Sequence, residues 1–138
     1  MIKVLPIQTK KEQEEICRIC GVEYDVRAMA YAATVDNELR GICQFAMTPN
    51  GGIIRSIACV GEKDFEVLFL LGRASLNFID LAGVHSAYFE DPNFTDDDII
   101  KSIGFELNEQ GKYFVDLTDF FTAPCKHHPM KTPDFSDK

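Results

Sequence analysis

From Asp64 to Ala82 the chain carries apolar residues on nearly every face that a helix would have. Phe65, Leu68, Leu71, Leu76 and Ile79 recur at helical spacing, and Val67, Phe69, Leu70 and Phe78 fill positions between them. A helix of that kind is buried between layers and not laid on a surface. Asp64 is placed to cap its start and Gly83 to stop it in a left-handed conformation. Ile53 to Val60 before it and Val84 to Phe89 after it read as strands. The block is therefore a β-α-β unit with a parallel crossover.

The flanking segments extend this unit. Ile2 to Pro6 reads as a first strand, and Thr9 with Glu12 forms a capping-box pattern at the head of a helix that Gly21 ends. Ile16, Ile19 and Cys20 are expected to form its apolar stripe. Met29 to Val35 and Leu39 to Met47 are strands joined by a tight turn at Asp36-Asn37. Pro49-Asn50-Gly51-Gly52 turns the chain into the Ile53–Val60 strand. After the long helix and its strand, Thr95-Asp96-Asp97-Asp98 opens a short helix with acids at its positive end, and Gly104 stops it. Phe105 to Leu107 and Tyr113 to Leu117 close with a hairpin around Gln110-Gly111.

The 138 residues suit one domain, 46% of them are hydrophobic and eleven are Phe, so a core can be buried. Residues 1-123 are expected to form that domain, and the Pro-bearing stretch 124-138 is expected to be an extension that is partly disordered. The formal net charge of −8 argues against nucleic acid and against an anionic membrane as partners. No apolar run approaches the roughly 18 residues of a membrane span. The five cysteines are odd in number and irregularly spaced. They read as reduced thiols, and the chain as cytoplasmic.

The order of elements, together with Asn93, Gly104 and Phe105, resembles the GNAT superfamily of acyl-CoA N-acyltransferases over roughly Ile2 to Leu117. Many members carry an Asn after the fifth strand, a Tyr seven residues on and a Gly-Phe four residues after that; here the Tyr position is Ile100. The resemblance implies an α/β (α+β) fold with a mixed sheet of about seven strands and helices on both faces. It implies acetyl-CoA as co-substrate, and an amine of a small molecule or a protein as acceptor. The backbone of Ile57, Ala58, Cys59 and Val60 would receive the pantetheine and polarise the thioester. Gly61 and Lys63, before the long helix, would face the pyrophosphate, with Asn93 nearby. That loop also holds Glu62, Asp64 and Glu66, which repel phosphate. With Ile100 unable to donate a proton, Tyr88 is the substitute acid. Glu90, or Glu23 or Asp25, is the group that would take the acceptor's proton through water.

Other chemistry-bearing residues read more plainly. Cys17-x-x-Cys20 would make a redox pair or half a zinc site whose other half is Cys125 with His127 or His128, but a mid-helix position favours two packed thiols. Cys59 reads as a small core residue, His85 as structural or exposed, and Asp96 to Asp98 as a helix-start turn and not a metal cluster. Arg73 in the apolar helix is expected to pair with a carboxylate. Phe120-Phe121 is expected to cover a sheet edge or a partner surface. Two functions follow: transfer of acetyl to an amine, or a catalytically degenerate domain that binds a ligand or protein in the same cleft. A homodimer is compatible with the sequence, which does not fix the oligomeric state.

Overall fold

The computed structural model describes residues 1–121. The extension from Pro124, with Cys125, His127 and His128, lies outside the described residues. Seven strands and three helices follow in the order β1 (Ile2–Pro6), α1 (Lys10–Cys20), β2 (Met29–Val35), β3 (Glu38–Thr48), β4 (Gly51–Cys59), α2 (Phe65–Leu81), β5 (Ser86–Phe89), α3 (Asp97–Ile103), β6 (Glu106–Leu107) and β7 (Tyr113–Asp116). They form one mixed sheet in the order β1-β2-β3-β4-β5-β7-β6. Among the described residues only β4 and β5 run parallel; every other neighbouring pair is antiparallel.

Alternation along the central strands assigns each face its helices. Cys43, Phe45 and Ile57 join α2 and α3 in the larger core, whereas Ala30 and Ile42 pack with Cys17 and Cys20 of α1. The buried face of α1 is Gln13, Cys17 and Cys20. Ile19, expected in that stripe, is exposed instead. Cysteines and a glutamine were the inward residues because a small side chain lets α1 sit close to β3 and a network described below satisfies the amide.

Helix α2 lies between the sheet and α3, as its all-round apolar pattern requires. Its Asp64 cap accepts from the Val67 N–H at 3.2 Å. Gly83 follows the helix at φ +95°, and the Val84 N–H reaches back to the Ile79 carbonyl at 3.1 Å. This closing motif postpones β5 to Ser86, two residues later than expected. At the other end, Gly51 and Gly52 belong to β4 and not only to the turn, pairing with Thr48 and Met47. Val60 falls just outside β4 and hydrogen-bonds to the Arg40 carbonyl at 2.7 Å.

Where α3 crosses α2, Gly72 provides the space. A Cβ there would stand 2.6 Å from Ile103 Cδ1 and 2.9 Å from its Cγ1. Arg73 has a different partner from the one expected. Its Nε donates to the Ile103 carbonyl at 2.6 Å, and its guanidinium lies between the rings of Phe69 and Phe120, 4.8 and 5.0 Å from their centroids. Desolvation holds its pKa below the ordinary arginine range. The carbonyl and two π-faces replace the carboxylate because α3 ends its helix there with an accepting C-terminus. Phe120 lies against Arg73 and Gly104 and borders β6 and β7 at the edge of the sheet, and Phe121 packs on Phe120 and on the same core. Among the described residues no helix is long and apolar enough to cross a membrane.

Candidate functional site

The sheet divides between β4 and β5. These strands pair from Gly52↔Ala87 to Ile54↔Phe89, and the last bond is from the Glu90 N–H to the Ile54 carbonyl at 3.0 Å. The β3–β4 register then shifts, with Phe45 opposite Ile54 and Gln44 opposite Ser56. Arg55 is thus an extra residue in β4, a bulge that bends the strand away from β5. Beyond it β4 continues to Cys59 against β3 alone, while Asp91-Pro92 turns the other chain aside. Strand alternation directs the N–H and C=O of Ile57 and Cys59 into the gap.

The gap opens a cleft of about 770 Å³. Its walls are β4 from Arg55 to Cys59, Gly61 and Lys63 before α2, the segment Glu90–Phe94, and the α1–β2 loop from Gly21 to Val26. That loop is held by a buried amide network. Gln44 Oε1 accepts from Gln13 Nε2 at 2.8 Å and from the Asp25 N–H at 3.0 Å. Its Nε2 donates to the Glu23 carbonyl and to Ser56 Oγ, both at 2.8 Å. Every donor and acceptor of the Gln44 amide is engaged, so one side chain ties α1, the loop and β4 together.

Asp91 is the buried acid of the cleft, 8% exposed. One carboxylate oxygen accepts from the Ile57 N–H at 2.9 Å and the other from the Asn93 N–H at 3.0 Å. Glu23, Asp25 and Glu90 add carboxylates to the same lining. The two cations are both engaged: Arg55 Nε lies 3.6 Å from Asp25 and Lys63 Nζ 2.9 Å from Asp96, with Lys63 also over the Phe94 ring. The Lys63 ammonium holds the Asp96 carboxyl below the usual range, and Asp96 also caps α3.

Of the residues singled out in the sequence, Ile57, Ala58, Cys59, Gly61, Lys63, Glu90 and Asn93 line the cleft, as do Glu23 and Asp25. Val60 and Tyr88 do not. The Tyr88 ring sits against Phe114 at 5.1 Å between centroids, on the opposite face of β5 from buried Phe89. The tyrosine that does line the cleft is Tyr24. Desolvation, followed by the nearby Glu14, Cys17 and Asp25, raises its phenol above the ordinary value. Ile100 is buried in the core. Burial pushes the Cys59 thiol up, which makes it a poor nucleophile. The Cys17 and Cys20 thiols are pushed up to about 11, chiefly by burial. Among the described residues no group of His, Cys, Asp or Glu is arranged to hold a metal. His85 is exposed and pairs with Asp80 at 2.6 Å.

Asp91, Gln44 and Tyr24 were missed in the sequence. A signal existed for two of them. Gln44 is a lone amide between Cys43 and Phe45, and Asp91-Pro92-Asn93 is a turn pattern directly after an apolar strand.

No protein-family model matches the chain, and no curated protein sequence does. Solved structures do. An acetyltransferase of Bacillus subtilis in complex with CoA has TM-score 0.65 at 16% identity, covering 86% of this chain and 100% of that one. The ribosomal-protein-S18-alanine N-acetyltransferase of Escherichia coli has TM-score 0.63 at 10% identity, covering 86% and 95%. A protein of Desulfovibrio desulfuricans assigned to the GNAT family of acetyltransferases has TM-score 0.64 at 11% identity, covering 86% and 100%.

Proposed function

We propose, from the premise that this chain has the fold of the GNAT acetyltransferases, that it moves an acetyl group from acetyl-CoA to an amine of a small molecule or a protein. The observation that carries the reading is the backbone amide of Ile57, aimed into an open cleft where the two parallel strands part. Its 2.9 Å bond to a carboxylate oxygen is the geometry in which an amide holds a negatively charged oxygen. The pantetheine arm would lie along Ile57 to Cys59, and the pyrophosphate near Gly61, Lys63 and the first turn of α2. The acceptor would enter past Glu23, Tyr24 and Glu90.

Transfer requires a neutral amine, attack on the thioester carbonyl and departure of the CoA thiolate. Glu90, exposed at the end of β5, is placed to take the amine's proton through water. Tyr24 lines the cleft and Tyr88 does not, so Tyr24 is the phenol within reach of the thiolate. A cleft filled by side chains would have favoured the degenerate alternative, and this one is open. Phe65 is exposed and stacks on Phe69, and Phe120 and Phe121 pack elsewhere, so neither fills the gap. Isothermal titration with acetyl-CoA tests the proposal: binding supports it, and no heat at millimolar ligand defeats it.

A further inference from the structure

Asp91 stands where the reaction would need open space. Where β5 stops pairing with β4, the Asp91 side chain takes the place of the missing strand and gives β4 one acceptor, at the Ile57 N–H. Its second oxygen is fixed by the Asn93 N–H, so the carboxylate is held at both ends, 8% exposed. A carboxylate accepts from an amide more strongly than an uncharged carbonyl does. A thioester oxygen arriving at the same N–H is therefore the weaker acceptor. It would also approach a negative charge, which disfavours any build-up of charge on that oxygen.

We propose that Asp91 is a built-in competitor for the carbonyl subsite of the cleft. The inference rests on the acyltransferase reading above and adds a regulation of that site: the resting chain offers CoA its cleft but withholds the Ile57 amide from the acyl group. Free CoA lacks the carbonyl and is indifferent to the block. Acetyl-CoA gains nothing over CoA until the carboxylate leaves. Turnover then requires Asp91 to move off Ile57, and whatever draws it away, such as a cationic acceptor, switches the site on.

The test compares two ligands on three proteins. CoA and acetyl-CoA are titrated calorimetrically into the full-length wild-type chain, Asp91→Ala and Asp91→Asn, with thermal melts to establish folding. The expected result is equal affinity of wild type for the two ligands. Asp91→Ala is expected to prefer acetyl-CoA by about three- to tenfold, the net effect of one hydrogen bond. Asp91→Asn, which keeps an uncharged acceptor, should fall between. If wild type already prefers acetyl-CoA, or if both ligands bind and the ratio is the same in all three proteins, Asp91 does not compete. If neither ligand binds any of the three, the acyltransferase reading falls, and this inference with it. Should the variants not fold, the Ile57 amide resonance of ¹⁵N-labelled wild type decides. The same position in the CoA and acetyl-CoA complexes supports the block, and a shift with acetyl-CoA alone overturns it.

Discussion

Gln44 is fully buried and every polar atom of its side chain has a partner. Replacing it with Leu keeps the volume and strands the Asp25 N–H, the Glu23 carbonyl and Ser56 Oγ, while the Gln13 amide keeps the Asp25 and Ala28 carbonyls. Gln44→Leu should therefore destabilise the protein by about 2–4 kcal/mol, read from urea unfolding. Its effect should exceed that of a surface Gln such as Gln110. The thiols give a second test. Cys17 and Cys20 are raised to about 11 and Cys43 to about 12, in each case first by burial. A chromogenic disulfide should leave all three unreacted at pH 8 in the native protein and label them on unfolding. For linkage, a folded pKa above the unfolded one means a stabilising contribution that is complete below the ordinary thiol range. It is lost as pH rises through that range toward 11–12. Single residues were the least legible level of the sequence. The family resemblance implied the backbone of Ile57 to Val60, of which Ile57 and Cys59 face the gap while Ala58 and Val60 face β3; Asp91 and Tyr24 reach the cleft only through turns whose direction no periodicity encodes.

The elements were legible where capping chemistry marked them. Thr9 accepts from the Glu12 N–H at 3.1 Å, Asp64 caps α2 and Gly83 has the left-handed φ expected of it. The turn at Asp36-Asn37 has both residues at positive φ, as a two-residue hairpin turn requires. Hydrophobic spacing was less reliable on α1, since Ile19 obeys the helical period yet faces water while polar Gln13 faces the core. Packing between elements was legible only in outline: the apolar pattern of α2 announced a helix buried between layers but not how closely its neighbours approach. The approach of α3 to α2 depends on the absence of a side chain at Gly72, and a glycine inside an apolar helix announces only that something is near. Gly72→Ala raises helix propensity yet drives a methyl into Ile103. It should destabilise by about 1–3 kcal/mol by thermal or urea unfolding. Ile103→Val in the same chain should recover part of the loss, because the deleted Cδ1 is the nearest atom to the new methyl.

At the scale of the whole molecule, charge and cleft are in tension: the chain is formally −8 and the proposed ligand is a polyanion. Lys63 bears on this because its ammonium is tied to Asp96. Asp96→Asn retains a residue able to cap α3 and releases Lys63, so CoA should bind more tightly. Lys63→Glu should weaken binding about tenfold, and added salt should shrink both effects. Calorimetry at two ionic strengths checks all of this, and unchanged affinity in both variants would remove Lys63 from the phosphate site. The chain's overall architecture was the most legible level, because β-α-β order and turn signals restrict how seven strands can connect. The split between β4 and β5 has a kinetic consequence. Strands β2, β3 and β4 follow one another as hairpins, whereas β5 reaches β4 only across the whole of α2 and meets it over three residue pairs. Closing that join brings sequence-distant segments together and is expected to come late in folding. A ligand of the cleft can act only after the join exists. CoA should therefore slow unfolding and leave the refolding rate unchanged, as stopped-flow circular dichroism can measure. A faster refolding phase with CoA present would instead place the join within the rate-limiting step.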